Sequence, residues 1–244
     1  MEFEAPLREV RLLRRYRRFL ADVEDEHGRQ WTVHCPNTGS MLGCAEPGSR
    51  IWLSRSDRPG RKYADTWELV EAADGVLVGV HTGRANALVA EAIDAGCLPG
   101  LDGYRRRRRE AAVPGAPMRA DWLLEGHERG EPPCFLEVKN VTAAVAADGV
   151  ALFPDAVTER GRRHLAVLAE RAAAGGRAAL VFCVQRTDVT EVRPAASIDP
   201  RYAEALRAAA EAGVAIRAVR LRPSPAGIFP DRPLPVRCAG DGSA

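Results

Sequence analysis

Residues 84 to 97 place apolar side chains at helical spacing (Leu88, Val89, Ala92, Ile93) and end at Gly96, which predicts a helix. The period then changes. A strand-like stretch from Tyr104 to Val113 is followed by two more, Arg119-Ala120-Asp121-Trp122-Leu123-Leu124 and Cys134 to Val141. Between the last two stand Gly126, Gly130, Pro132 and Pro133, the punctuation of a turn, so these two strands are expected to pair. A second helix is predicted from about Ala156 to Ala174, then an apolar strand from Ala178 to Val184, a helix from Tyr202 to Ala212 and a strand from Val214 to Leu221. The order is helix, three strands, helix, strand, and the last helix and strand complete an α/β layer.

The first eighty residues contain no long helix. Leu12 to Val23, Gln30 to Cys35, Arg50 to Ser54, Thr66 to Ala72 and Val76 to His81 are short segments rich in β-formers, separated by Gly, Pro, Asn and Asp. Five strands at this spacing predict a small oligonucleotide-binding (OB) barrel. The composition breaks near Thr82 to Arg84, so the expected organisation is an OB-like nucleic-acid-binding domain over 1–83 and an α+β or α/β nuclease-like domain over 84–244. Each is long enough for its own core.

Composition sharpens one position. Lys62 and Lys139 are the two lysines, against thirty-three arginines in the 35 basic residues. Lysine is a compact point charge that can sit beside a water or a single phosphate oxygen, which a planar guanidinium cannot imitate. Lys139 follows Glu137 by two positions on a strand, so the two side chains share a face, while Leu136 and Val138 point to the opposite layer. Antiparallel pairing can bring Asp121 to that face. Asp121 and Glu137 would then form an oxygen-rich half-shell for a hard divalent ion, Mg²⁺ or Mn²⁺, with Lys139 orienting the attacking water or neutralising developing charge. This is the Asp…Glu-x-Lys arrangement of the PD-(D/E)xK nucleases. A structural ion pair is the plainer alternative. Glu91, on the first helix, and Glu110 are candidates for an additional acid.

A net charge of +2 rules out a chain that is basic throughout. Basic residues cluster locally, however, with aromatics among them: Arg14, Arg15, Tyr16, Arg17 and Arg18 on the barrel, Lys62 in a later turn, Arg105, Arg106 and Arg107 within an unbroken arginine run, and Arg119 beside the acidic pair. Phosphate tracking combined with base stacking uses this mixture, so these residues are the expected DNA contacts. Six cysteines without a C-x-x-C pair argue against a zinc site. No phosphate-cradling Gly loop, dinucleotide fingerprint, repeat, signal peptide or membrane span is evident, which predicts a cytoplasmic chain with reduced thiols. His34 and His164 read as structural histidines.

Several longer stretches carry a resemblance: Val33 to Met41, Arg61-Lys62-Tyr63 with Thr66 to Val70, Thr82 with Ala85-Asn86, Arg119 with Asp121, Glu137 to Thr142, and Phe153 to Thr158 with Arg160-Gly161 and His164-Leu165. In these, from about Leu12 to Leu221, the chain resembles the sugar fermentation stimulation protein A family. The resemblance implies an OB-like barrel joined to a PD-(D/E)xK-type domain, non-specific DNA binding and a link to the regulation of sugar (maltose) metabolism. Where that family has Ser-Arg-Ile-Asp-Phe, this chain has Met118-Arg119-Ala120-Asp121-Trp122, which keeps the carboxylate and loses a hydroxyl. Two functional classes follow: a metal-dependent DNA nuclease, or a DNA-binding regulator with a nuclease fold and no turnover. An RNA- or nucleotide-processing enzyme is a third.

Overall fold

The computed structural model describes residues 1–145 and 148–238. Its N-terminal part contains β1 (Arg8–Tyr16), β2 (Leu20–Glu24), β3 (Gln30–His34), β4 (Arg50–Arg55), β5 (Asp65–Glu71) and β6 (Leu77–Gly79). The strands lie in the order β3-β2-β1-β4-β5-β6, and a parallel β3–β5 contact at His34 and Thr66 closes the first five into a barrel. Inward positions are filled by Leu12, Val23, Val33, Ile51, Leu53 and Trp67, all essentially inaccessible. Burying such side chains is the dominant favourable term for a domain this small.

The sequence reading of one strand over Leu12 to Val23 is corrected here. The chain turns back at Arg17 and Arg18, whose φ angles are 48° and 64°. Arginine is not a turn residue, so period and composition gave no sign of a break. Closure of the barrel imposes it.

The remainder contains α1 (Ala85–Asp94), β7 (Tyr104–Ala112), β8 (Arg119–His127), β9 (Cys134–Val141), β10 (Ala144–Val145), β11 (Val150–Phe153), α2 (Glu159–Ala173), β12 (Arg177–Val184), β13 (Glu191–Pro194), α3 (Pro200–Glu211), β14 (Ala215–Ser224) and β15 (Gly227–Leu234). The main sheet runs β15-β14-β12-β9-β8-β7, with β10, β11 and β13 in a small second sheet. Strands β9, β12 and β14 are parallel, and antiparallel strands flank them on both sides. Leu165, Leu168 and Leu206 of α2 and α3 cover one face against Phe135, Leu180 and Phe182. Helix α1 covers the other with Leu88, Val89 and Ala92, against Leu136, Val181 and Cys183.

Trp52 and Leu69 of the barrel belong to that second core, so apolar packing joins the two parts directly. The seam is reinforced where the Gly79 N–H donates to the Gln185 carbonyl at 2.8 Å. At Gly79 an added Cβ would stand 2.4 Å from the Gln185 side chain, so the close approach of the two chains requires glycine there. Buried Asp199 fixes the helical layer: it caps α3 by accepting from Tyr202, accepts from the Thr158 N–H at 2.9 Å, and pairs with Arg162. Thr158 is itself the N-cap of α2. One carboxylate thus sets where α2 begins.

Candidate metal and nucleic-acid site

Four elements, β8, β9, α1 and α2, deliver the central side chains. Ladder pairing between β8 and β9 reaches Trp122 and Leu136, and beyond them Asp121 replaces the ladder, its Oδ2 accepting the Val138 N–H at 2.7 Å. Its Oδ1 accepts from Asn86 Nδ2, in the first turn of α1, at 2.9 Å. Glu137, two residues before Lys139 on β9, faces α2. Its Oε1 accepts from Lys139 Nζ at 2.7 Å and lies 2.6 Å from His164 Nδ1. The three side chains are 6%, 14% and 12% exposed for Glu137, Lys139 and His164, so the cluster is largely shielded from solvent.

The two carboxyls are shifted in opposite directions. Burial raises Asp121, and the neighbouring Glu137 charge raises it further, against the Val138 N–H, Asn86 and Lys139, which favour the ionised form. Burial also acts to raise Glu137, but the His164 hydrogen bond and the Lys139 charge outweigh it and hold Glu137 below the usual carboxylate range. Two acids close enough to perturb each other, one anionic and the other resisting ionisation, form a site that a cation would relax.

Residues 13–80 match the SfsA N-terminal OB domain, and residues 83–227 match the sugar fermentation stimulation protein RE domain. The chain belongs to the sugar fermentation stimulation protein family. It is 76% identical over 236 residues to a sugar fermentation stimulation protein homolog of Halorhodospira halophila, covering 97% of this chain and 98% of the relative. It is 66% identical over 238 residues to a homolog of Alkalilimnicola ehrlichii, covering 98% and 100%. The solved structure of Pyrococcus furiosus SfsA in complex with Ca²⁺ superposes with a TM-score of 0.84 at 30% identity, covering 97% of this chain and 98% of that one.

In this member of the SfsA family the other expected site residues divide. Glu110 stands level with Asp121 across β7, between the pairs Arg109–Trp122 and Ala111–Ala120. Its φ of 49° is left-handed, a strained conformation for a residue with a side chain. It lines a groove with Arg119 and His164. The Glu91 carboxylate binds the Met1 ammonium at 2.5 Å.

Two of the expected DNA contacts already have partners within the protein. One guanidinium nitrogen of Arg15 donates to the carbonyls of Arg18, Asn37 and Gly39, each at 2.8 Å, which clamps a barrel loop. Arg107 pairs with Asp94 and straps α1 to β7. Arg14 pairs with Asp22 and lies over the Tyr16 ring, while Tyr16 bonds Asp22. Arg17, Arg18, Lys62, Arg105, Arg106 and Arg119 are exposed.

The sequence reading missed Asn86 and His164 as members of the site. For His164 a signal existed: it falls on the same face of α2 as buried Gly161 and Leu168, an improbable place for an unpartnered polar group. Asn86 gave none. Among the described residues no group of three or more His, Cys, Asp or Glu has the arrangement of a metal site. No helix among them is long and apolar enough to cross a membrane.

Proposed function

We propose that this protein is a divalent-metal-dependent nuclease acting on DNA without strong sequence preference. The observation that carries the reading is the asymmetry at Glu137: Lys139 and His164 both bind Oε1, keeping the group anionic while leaving Oε2 turned to neither. Asp121 and Glu137 fit a hard cation, because two mutually repelling carboxylates supply part of an oxygen shell that water and substrate phosphate complete. The Pyrococcus furiosus relative is in complex with Ca²⁺, an oxygen-seeking ion of the same class as Mg²⁺ and Mn²⁺. Such an ion supplies Lewis-acid polarisation of the phosphoryl group and a lowered pKa for water.

The chain's own residues do the rest. Asn86 and the Val138 N–H aim Asp121, and His164 and Lys139 aim Glu137. Preorganised groups of this kind stabilise developing charge without reorganising during the reaction. The Lys139 ammonium, next to the reacting phosphate, would orient a water and offset charge on the phosphoryl oxygens. A role in regulating sugar use, maltose included, would have this chemistry or the associated DNA binding as its molecular basis; the relatives are named for the stimulation of sugar fermentation.

One observation favours the alternative of a DNA-binding regulator without turnover: both Asp121 oxygens and the Lys139 ammonium already have protein partners. The two readings separate in a single assay. Purified protein is incubated with single-stranded DNA, duplex DNA and RNA in Mn²⁺ or EDTA. Cleavage in Mn²⁺ that is absent from Asp121→Asn supports the nuclease. DNA binding without cleavage under any divalent ion supports the regulator, and cleavage of RNA alone would reassign the substrate.

A further inference from the structure

Two grooves meet at Arg160. The first, about 430 Å³, lies between the barrel and the second domain and is lined by Asn37, Thr38, Gly39, Thr82, Lys139 and Arg160 among others. The second, about 390 Å³, runs along α2 and is lined by Arg160, Arg163, His164, Arg119 and Glu110. Both lie in the range that accommodates a small organic group such as a nucleotide unit. Arg160 borders both, and its Nε lies 3.4 Å from His164 Nε2.

Many arginines elsewhere, among them Arg8, Arg14, Arg50, Arg84, Arg107, Arg186 and Arg220, pair with carboxylates, and others such as Arg17, Arg18 and Arg106 face solvent. Among the described residues, no ion pair or hydrogen bond links Arg119, Arg160 or Arg163 to a carboxylate. Asp155, the acid in the first groove, is already spoken for: its Oδ2 accepts from the Ser40 N–H at 2.8 Å, the Ser40 hydroxyl at 3.0 Å and the Met41 N–H at 3.3 Å. That contact fixes the barrel loop as a wall of the groove. Gly39 is required for it, since an added Cβ would meet Asp155 Oδ2 at 2.6 Å.

We infer that the two grooves form one bed for a single-stranded polynucleotide, which passes from barrel residues 37–39 over Lys139 to α2, with Arg160 holding the phosphate at the midpoint. The inference deepens the nuclease reading and rests on it for the identity of the polymer. A duplex is a stiff rod with its phosphates outermost, whereas Lys139, at 14% exposure, lines a groove walled by the barrel loop and α2. A single strand can bend into such a groove with its phosphates inward and its bases against the walls.

The test is fluorescence anisotropy in EDTA, which removes cleavage from the readout, with a labelled oligothymidylate of about a dozen nucleotides, long enough to span both grooves. Arg160→Ala is expected to weaken binding roughly tenfold and to reduce the slope of log affinity against log salt by about 0.7, the loss of one phosphate contact on a single strand. Arg160→Lys restores part of both, and Arg207→Ala, on the far helix α3, changes neither. Thr38→Glu, which sets a negative charge on the opposite wall, weakens binding independently of Arg160 and keeps the test alive if Arg160→Ala melts early. The same loss on oligouridylate also supports the bed, as a contact to the shared phosphate. Wild-type affinity in both variants, or an equal loss for duplex DNA of the same sequence, overturns it. A normal Arg160 effect in a protein that never cleaves would sink the nuclease reading and leave the strand path standing.

Discussion

His164 Nδ1 lies 2.6 Å from Glu137 Oε1, the same oxygen that takes the Lys139 ammonium at 2.7 Å. The contact fastens helix α2 to the central strand β9 through the acid that matters most in the proposed chemistry. Since Arg160 Nε faces the other ring nitrogen at 3.4 Å, Nε2 acts as the acceptor and the Nδ1 proton points at Glu137. His164 is therefore a positioning residue. Replacing it by Ala is expected to leave a folded protein whose Mn²⁺ affinity and cleavage rate each fall about 10- to 100-fold, the usual cost of removing a group that orients a metal ligand. His164→Gln, which keeps a donor, should recover part of the affinity in a calorimetric Mn²⁺ titration.

Asp121 and Glu137 should affect stability with opposite signs. A carboxyl raised in the folded state binds a proton that the unfolded chain releases. In EDTA, Asp121 therefore costs stability as pH rises from the ordinary carboxylate pKa through its raised folded value. Glu137 is lowered, so its contribution is present above the ordinary carboxylate pKa and is lost as pH falls through the folded one. Asp121→Asn should accordingly melt no lower than wild type at neutral pH in EDTA, while Glu137→Gln melts lower. Adding Mn²⁺ should raise the melting temperature of wild type only, because an ion that binds the native state stabilises it by mass action. Melting curves across pH, with and without the ion, check both statements.

Lys139→Arg separates an ion pair from a catalytic ammonium. The guanidinium preserves the charge facing Glu137 but cannot occupy the same point beside a water, so cleavage should drop roughly a hundredfold with DNA affinity and melting temperature retained. Equal rates in the two proteins would reduce Lys139 to a counter-charge.

Asp199 tests the scaffold. Its side chain is almost fully enclosed, caps α3, takes the Thr158 N–H and pairs with Arg162, so Asp199→Ala strands a half-buried guanidinium and removes a cap. A loss of about 3 kcal/mol is expected by denaturant melting. Burial acts to raise this carboxyl, but the Thr158 and Tyr202 N–H groups and Arg162 hold it below the usual range, so wild-type stability should decline as pH falls through that lowered value. Asp199→Asn should show a weaker acid dependence.

Much of this was legible in one dimension, and the reason is periodicity. Helix α1, strands β7 to β9, helix α2 and strand β12 all stand within a few residues of where the apolar spacing and the Gly and Pro stops predict them, because local burial patterns repeat every 3.6 or two residues. The strand period alone puts Glu137 and Lys139 on one face, and their ion pair follows from it. The turn at Arg17 and Arg18 was invisible because nothing in arginine's chemistry marks a left-handed backbone.

Charge was the least legible property. Every arginine in the first strand and in the 105–109 run looks the same in sequence, yet Arg15 clamps backbone carbonyls, Arg107 straps a helix and Arg106 faces solvent. What a guanidinium does depends on which carboxylate or carbonyl the fold brings within about 3 Å of it, a separation that long-range packing sets. The same holds for Glu91 at the N-terminus, for Asn86 beside Asp121 and for His164 beside Glu137, whose partners lie 90, 35 and 27 residues away along the chain. The sequence by itself determined most of the main helices and strands and the shared face of Glu137 and Lys139, because these are written in local spacing. Only the tertiary structure decided which polar groups complete the site, since closing the barrel onto the sheet and seating α2 on β9 are what bring distant donors and acceptors to hydrogen-bonding distance.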